Sequence, residues 1–167
     1  MSKKVFLKTS KYDYLISMWL HDKKFINNDN KIDLKYGENP NQKSYYSVDN
    51  SNSSLVDAKI YGPPLSYNNI LDLDSGINCV KEFSKPTCVI IKHNNPCGVS
   101  SGSNINHAFK NALDADPISA FGGIVILNKL INETLANKLS KHFFEVIAAT
   151  NFTKKGLDIL KKKKKLI

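Results

Sequence analysis

The sequence contains no arginine. All 24 of its basic residues are lysine, set against 15 acidic residues, for a formal net charge of +9. Without guanidinium forks, any phosphate must be held by lysine or by backbone N–H groups. Asparagine and isoleucine are plentiful and, like lysine, have AT-rich codons, so the skew reads as nucleotide bias more than chemistry. Nor does the charge describe a nucleic-acid surface. One run of lysines fills 161–165 and the others are scattered, with no basic stripe interleaved with aromatics. Cysteine is scarce too. Cys79, Cys88 and Cys97 are odd in number and include no C-x-x-C pair, which argues against a disulfide framework and for a reducing compartment, the cytoplasm. No apolar run approaches the length of a membrane span. The N-terminus "MSKKVFLKTSKYDY" lacks the apolar core of a secretory signal. No internal repeat is visible.

What is present is the material of one ordinary domain: 167 residues, 41% of them hydrophobic. Residues 9–22 read as a helix capped by Thr9 or Ser10, with Leu15, Met18 and Trp19 on one face. Residues 27–33 read as a polar linker, 34–44 as loop, 45–48 as a strand and 48–54 as a surface loop. A short strand within 58–69 is expected to break at Gly62-Pro63-Pro64. From residue 69 onward helix and strand alternate: helices at 69–83, 104–115, 132–143 (capped by an asparagine) and 154–164, strands at 87–93, 122–128 and 144–150. Continuous apolar strands between amphipathic helices predict an α/β fold with a mostly parallel sheet covered on both faces. In such folds ligands gather at the carboxyl ends of strands.

The stretch "CVIIKHNNPCGVSSGS" (88–103) stands out against that frame. A buried-type strand ends in Lys92-His93, with a turn directly behind. Histidine takes and returns a proton near neutrality, and a neighbouring lysine can orient a substrate or stabilise developing negative charge. A strand merely leaving the core for solvent would explain the same pair. "PCG" after a histidine has a partial likeness to zinc deaminases, which carry H-x-E and then P-C-x-x-C. Here no glutamate follows His93 at that spacing and Cys97 has no second cysteine three residues on, so the three cysteines read as structural and no metal is expected. "KYGENPNQ" (35–42) by itself reads as a surface turn, and "SAFGG" (119–123) as either a tight turn or a place of close ligand approach.

Taken together and in order, "LKYGENPNQ", "LSYNNILDLDSGINCVKEF" with "CVIIKHNNPCGVS", and "DPISAFGGIVILN" closely resemble the transformylase domain of the enzyme family that joins 5-aminoimidazole-4-carboxamide ribonucleotide (AICAR) formyltransferase to IMP cyclohydrolase. The resemblance covers roughly residues 31–165 and continues through "FFEVIAATNFTKKGLDILKKKK". It implies a three-layer αβα, cytidine-deaminase-like subdomain without zinc, spanning residues 27–167. Residues 1–26 resemble the last helix of the cyclohydrolase domain.

The resemblance also implies a reaction. A formyl group passes from 10-formyltetrahydrofolate, the co-substrate, to AICAR. His93 accepts the amine proton, and Lys92 stabilises charge on the tetrahedral intermediate or keeps the histidine neutral. Lys35 and Tyr36 match the family's substrate-binding Arg-Tyr pair, and Asn69 and Gly122 match further substrate-contact positions. The family usually reads Asn-Pro-His-Gln where this chain has Asn39-Pro40-Asn41-Gln42, so any proton-linked role at residue 41 is lost. Family members are homodimers whose site is completed by an Asn, an Asp and an Arg from a second half of the domain, and by the partner subunit. The expectation is a truncated chain, inactive alone. It extends to the lysine run, where a miscounted run of adenines would end the chain two residues later and leave Leu157, Leu160 and Ile167 on an exposed apolar face.

Overall fold

The computed structural model describes residues 2–21, 31–47 and 58–167. Of the expected linker over 27–33, residues 31–33 form a strand instead, while its first part, the surface loop at 48–54 and the domain boundary at 26/27 lie outside the described residues. The first element, α1 (Ser2–His21), is longer than expected and begins upstream of its expected caps. Thr9 and Ser10 cap nothing; their hydroxyls donate back to the carbonyls of Phe6 and Leu7 at 3.2 and 3.1 Å, the local bonding these side chains favour inside a helix. Of residues 3–20 only Met18 is even half-buried. Two short strands, β1 (Lys31–Asp33) and β2 (Tyr45–Ser47), then pair antiparallel. The expected strand within 58–69 is absent. Gly62 sits at φ 89°, and the two prolines behind it have no N–H to give a ladder.

The remainder is one sheet between two helical layers. Its elements are α2 (Tyr67–Lys81), β3 (Thr87–Lys92), β4 (Asn95–Ser101), α3 (Ile105–Ala115), β5 (Ile124–Leu127), α4 (Glu133–Leu139), β6 (Val146–Ala149) and α5 (Lys154–Leu160). Each of the four helices starts on a side-chain cap, from Ser66, Asn104, Asn132 and Thr153, each accepting the backbone N–H three residues on. Such a cap is worth about 1 kcal/mol. The strand order is β4-β3-β5-β6. Three strands run in one direction and β3 opposes them: β3 pairs antiparallel with both β4 and β5, while β5 and β6 pair parallel. The α/β class and the covered sheet stand, and the lean toward one strand direction holds for three of the four strands.

Alternation along the strands builds the layers. Cys88, Ile90, Val125, Leu127 and Ile147 point to a core made with α3, α4 and α5. Val89, Ile91, Ile124, Ile126 and Val146 point to a second core under Leu73 and Val80 of α2. Both faces are dry, which is why the strands read as unbroken apolar runs. Strand β4 was not expected, because Pro96 and Gly98 interrupt its sequence. It is an edge strand, where proline is tolerated. A bulge between Ile90 and Ile91 leaves Cys97 as its extra residue. Gly98 is needed there, since a Cβ would overlap the Ala112 carbonyl of α3.

The three thiols are free, with Cys88 fully buried. Near the chain's end Leu157, Leu160 and Ile167 line an apolar groove rather than a fully exposed face. Leu160 is 5% exposed, and Leu166 and Ile167 pack on the two cores. Ile167 also makes a rung on β6: its N–H donates to Glu145 O, and Ile147 N–H donates to its carbonyl, both at 3.0 Å. An apolar groove of about 980 Å³ runs beside this rung, lined by Ile70, Ile77 and Val80 of α2, by β6, and by Lys161, Lys163 and Lys164.

Burial decides what mutations cost. Ile90→Ala removes a side chain with 0% exposure and is expected to cost roughly 2–5 kcal/mol. Deleting residues 1–21 removes a helix whose side chains are nearly all exposed and should change stability by no more than about 0.5 kcal/mol. Urea unfolding of the two variants beside the parent chain checks both.

Candidate functional site

The end of β3 explains why the strand runs into Lys92-His93. Lys92 pairs with Asn95 across the hairpin, so His93 and Asn94 are its two-residue loop. Both take positive φ, 51° and 63°, as the loop type that suits the strand twist requires. Neither is glycine. A non-glycine residue in the left-handed region costs roughly 1–2 kcal/mol, although asparagine and histidine are enriched there. His93 is therefore pushed to an exposed hairpin tip, and Asn95 Nδ2 donates to its carbonyl at 3.0 Å. Among the described residues the His93 ring makes no hydrogen bond, ion pair or ring contact with Lys35, Tyr36, Asn69 or Gly122.

Lys92 turns the other way. Because β3 opposes β5, its carboxyl end lies beside the start of β5, with Ile91 opposite Ile124. The Lys92 ammonium donates to the carbonyls of Phe121 at 2.9 Å and Gly122 at 3.0 Å. Gly122 has φ 68°, and a Cβ on it would stand 3.0 Å from Lys92 Nζ. Glycine is thus required twice over, for its backbone and for the ammonium's room. Its N–H donates to Phe143 O at 2.8 Å, and the next residue's carbonyl accepts from Glu145 N–H at 3.0 Å.

Asn69 joins this end of the sheet from α2. It is buried at 6% exposure. It closes a capping box with Ser66, and its Nδ2 donates to Glu145 Oε2 at 3.0 Å. Lys35 and Tyr36 are tied to the same helix start through the backbone: Lys35 N–H donates to Leu65 O at 2.8 Å and Tyr67 N–H to Tyr36 O at 3.2 Å. The Lys35 ammonium lies 5.6 Å from the Tyr36 ring centre.

All the candidates except His93 thus fall on one hydrogen-bonded path. Lys92 touches Gly122, the Gly122-Gly123 turn is paired to the Phe143–Glu145 segment, and Glu145 holds Asn69. The helix start that Asn69 caps carries Lys35 and Tyr36. Sequence pattern alone does not single out Glu145. The available signal is a carboxylate directly before an apolar strand, at the same sheet end as the glycine turn. Among the described residues no group of three or more His, Cys, Asp or Glu side chains is placed to hold a metal ion. No described helix is long and apolar enough to cross a membrane.

Cys97 lies within electrostatic reach of both Lys92 and Asp116. Burial pushes the Cys97 thiol up; its backbone hydrogen bond pulls it down, Asp116 adds to the rise, and Lys92 opposes it. Asp116 begins the turn that leads to Phe121-Gly122, with its Oδ1 accepting Ser119 N–H at 2.9 Å. The Ser119 hydroxyl, then the Ser119 N–H, hold the Asp116 carboxyl below the usual carboxylate range. A carboxyl lowered in the folded state lends stability above its unfolded value, about 3.9, and loses it as pH falls through the folded value. The protection factor of the Ser119 amide, its slowing relative to the intrinsic exchange rate at the same pH, should therefore fall at the acid end of that window. Asp116→Asn keeps an acceptor oxygen and should make that protection factor independent of pH while leaving the turn, as exchange across pH 2–6, referred to the intrinsic rate at each pH, will show.

Comparison with known proteins gives a family and relatives. The family model described as AICARFT/IMPCHase bienzyme matches residues 1–167. The chain is similar to the "Bifunctional purine biosynthesis protein PurH" of Bacillus cereus strains AH187 and ATCC 10987, and to that of Bacillus thuringiensis strain Al Hakam. Each is 42% identical over 177 residues, an alignment covering 99% of this chain and 35% of the relative. The chain therefore spans about a third of the length of the curated relatives it matches.

Proposed function

This chain belongs to the AICARFT/IMPCHase bienzyme family, and from that we propose that it carries one part of a site that moves a formyl group from 10-formyltetrahydrofolate to AICAR in IMP biosynthesis. The single observation that carries this reading is the Lys92–Gly122 contact beside the projecting His93. A cation and a proton acceptor stand side by side at one sheet end. The hydrogen-bonded path from Gly122 reaches Asn69 and then the Lys35-Tyr36 loop. In this reading residues 27–167 are the first, deaminase-like subdomain of the transformylase and residues 1–26 the end of the cyclohydrolase part. The complete enzyme is a cytoplasmic homodimer.

The AICAR amine is a poor nucleophile because its lone pair is delocalised into the ring and carboxamide. As its nitrogen attacks the formyl carbon, a C–N bond forms and the N–H proton passes to His93. The tetrahedral intermediate then breaks its bond to the folate nitrogen, which leaves with a proton returned to it. Lys92 has three N–H donors. Two are held by Phe121 and Gly122, which fixes the ammonium and leaves the third to donate to the intermediate's oxygen. Lys35, Tyr36, Asn69 and Gly122 position the nucleotide. General-base action supplies about 10²–10⁴-fold, and positioning with charge stabilisation supplies the rest.

The test is to complete the chain with the remaining part of a PurH relative. His93→Ala should then lower kcat by about 10²-fold or more, whereas the 167-residue chain alone should show no turnover. Turnover by the chain alone, or an unaffected His93→Ala enzyme, defeats the reading.

A second reading is a nucleotide-binding module that works only together with a further part of the domain. A ligand that binds only the folded state at 100 times its Kd adds about 2.7 kcal/mol. A clear rise in the melting temperature of the isolated chain with AICAR supports the module; no shift at millimolar AICAR leaves an inert fragment.

A further inference from the structure

The His93–Asn94 loop is gripped from outside its own hairpin. Asp72, on α2, accepts the Asn94 backbone N–H through Oδ1 at 2.6 Å. Ser75, one turn further along, bonds through its hydroxyl to Asn94 Oδ1. Asn69, Asp72 and Ser75 recur every three residues and so share one side of α2. The first member of this stripe holds Glu145 at the start of β6; the other two hold the loop. One rigid helix therefore spans from the Asn69 side of the site to the histidine. Asp74, on the same helix, makes no such contact and accepts from Asn78 instead, at 3.3 Å.

We propose that Asp72 is the positioning residue of His93. The loop holds two adjacent non-glycine residues at positive φ, a conformation that persists only where its surroundings impose it. The two bonds to Asn94 differ in kind. Ser75 reaches a side chain, which can turn about its own torsions. Asp72 takes the backbone N–H with a charged acceptor, which is the stronger type of bond and fixes the peptide that joins His93 to Asn94. Holding that peptide sets the direction in which His93 leaves the hairpin relative to Lys92 and Gly122. The positioning role rests on the reading of His93 as the proton acceptor; the grip on the loop does not.

The experiment has two arms. In the 167-residue chain, amide exchange at Asn94 reads the grip directly. Asp72→Ala should speed it at least tenfold. Asp72→Asn, which keeps an acceptor oxygen, should restore most of the protection, and Asp74→Ala, which removes the same charge from the same helix, should leave it unchanged. Should Asp72→Ala fail to fold, Asp72→Ser stands in, being too short to reach. In the completed enzyme, Asp72→Ala should lower kcat about tenfold, with KM for AICAR held within twofold. It should add nothing to the loss already caused by His93→Ala, since two residues acting as a unit are not additive. Asn94→Gly in the Asp72→Ala background should recover part of the rate, because glycine adopts positive φ without strain.

Unchanged exchange at Asn94 in Asp72→Ala overturns the proposal whatever the kinetics. So does faster exchange with an unaltered kcat, or a loss that adds fully to that of His93→Ala. If His93→Ala itself leaves the rate intact, the functional reading fails and the positioning role falls with it, while the exchange data still report the grip as a separate fact.

Discussion

The pairing of β3 against β5 is the constraint on which the rest of the molecule depends. β3 is the one strand of the four that runs the other way. Its carboxyl end therefore meets the amino ends of β5 and β6 rather than their carboxyl ends. That reversal sets Lys92 beside the Phe121-Gly122 turn and within reach of its carbonyls. It also places Glu145, directly before β6, where Asn69 of α2 can bond it. Had β3 run with its neighbours, Lys92 and the glycine turn would lie at opposite ends of the sheet. The dry faces on both sides keep this arrangement in place, since a slip of one residue would turn Cys88 and Ile90 into the layer that now holds Val89 and Ile91.

Much of this was legible in the sequence, for a physical reason. Strands buried on both faces must be apolar at every position, so "CVII", "IVIL" and "VIAA" announce themselves. The helices between them show their periodicity because only one side of each is buried. The places where pattern failed are those where the backbone, rather than side-chain burial, decides. β4 carries proline and glycine and alternates poorly, and it is a strand because an edge position and a bulge accommodate both. Its pairing partner could not be read from composition. The direction of β3 was equally hidden, since a hairpin of two residues turns here on histidine and asparagine instead of the glycine that usually signals it.

The candidate site shows the same division. Lys92 and His93 stand out by pattern, whereas Lys35, Tyr36, Asn69 and Gly122 come from the family resemblance. What motif could not supply was the wiring between them. Glu145 and Asp72 each look like an ordinary surface carboxylate, one at a strand's start and the other amid the polar side of a helix. Each acquires a role only from a partner far away in sequence, Asn69 for one and Asn94 for the other. Periodicity analysis follows apolar residues. The stripe of Asn69, Asp72 and Ser75 has the same helical spacing but is written in polar ones.

The lysines that follow α5 take on meaning from the strand beside them. Among the described residues β6 is the last strand on its side of the sheet, and past the rung made by Ile167 no described strand pairs with its outer edge. An open edge of apolar residues is a template for another copy of the chain. Lys161, Lys163 and Lys164 line the groove along that edge, with the Lys161 ammonium 4.3 Å from the Tyr61 ring centre. A second molecule approaching edge to edge would bring its own lysines against these before any ladder could form. Like charges on approaching copies repel, and that repulsion weakens as salt rises and the Debye length shrinks from about 10 Å at 0.1 M toward 3 Å at 1 M.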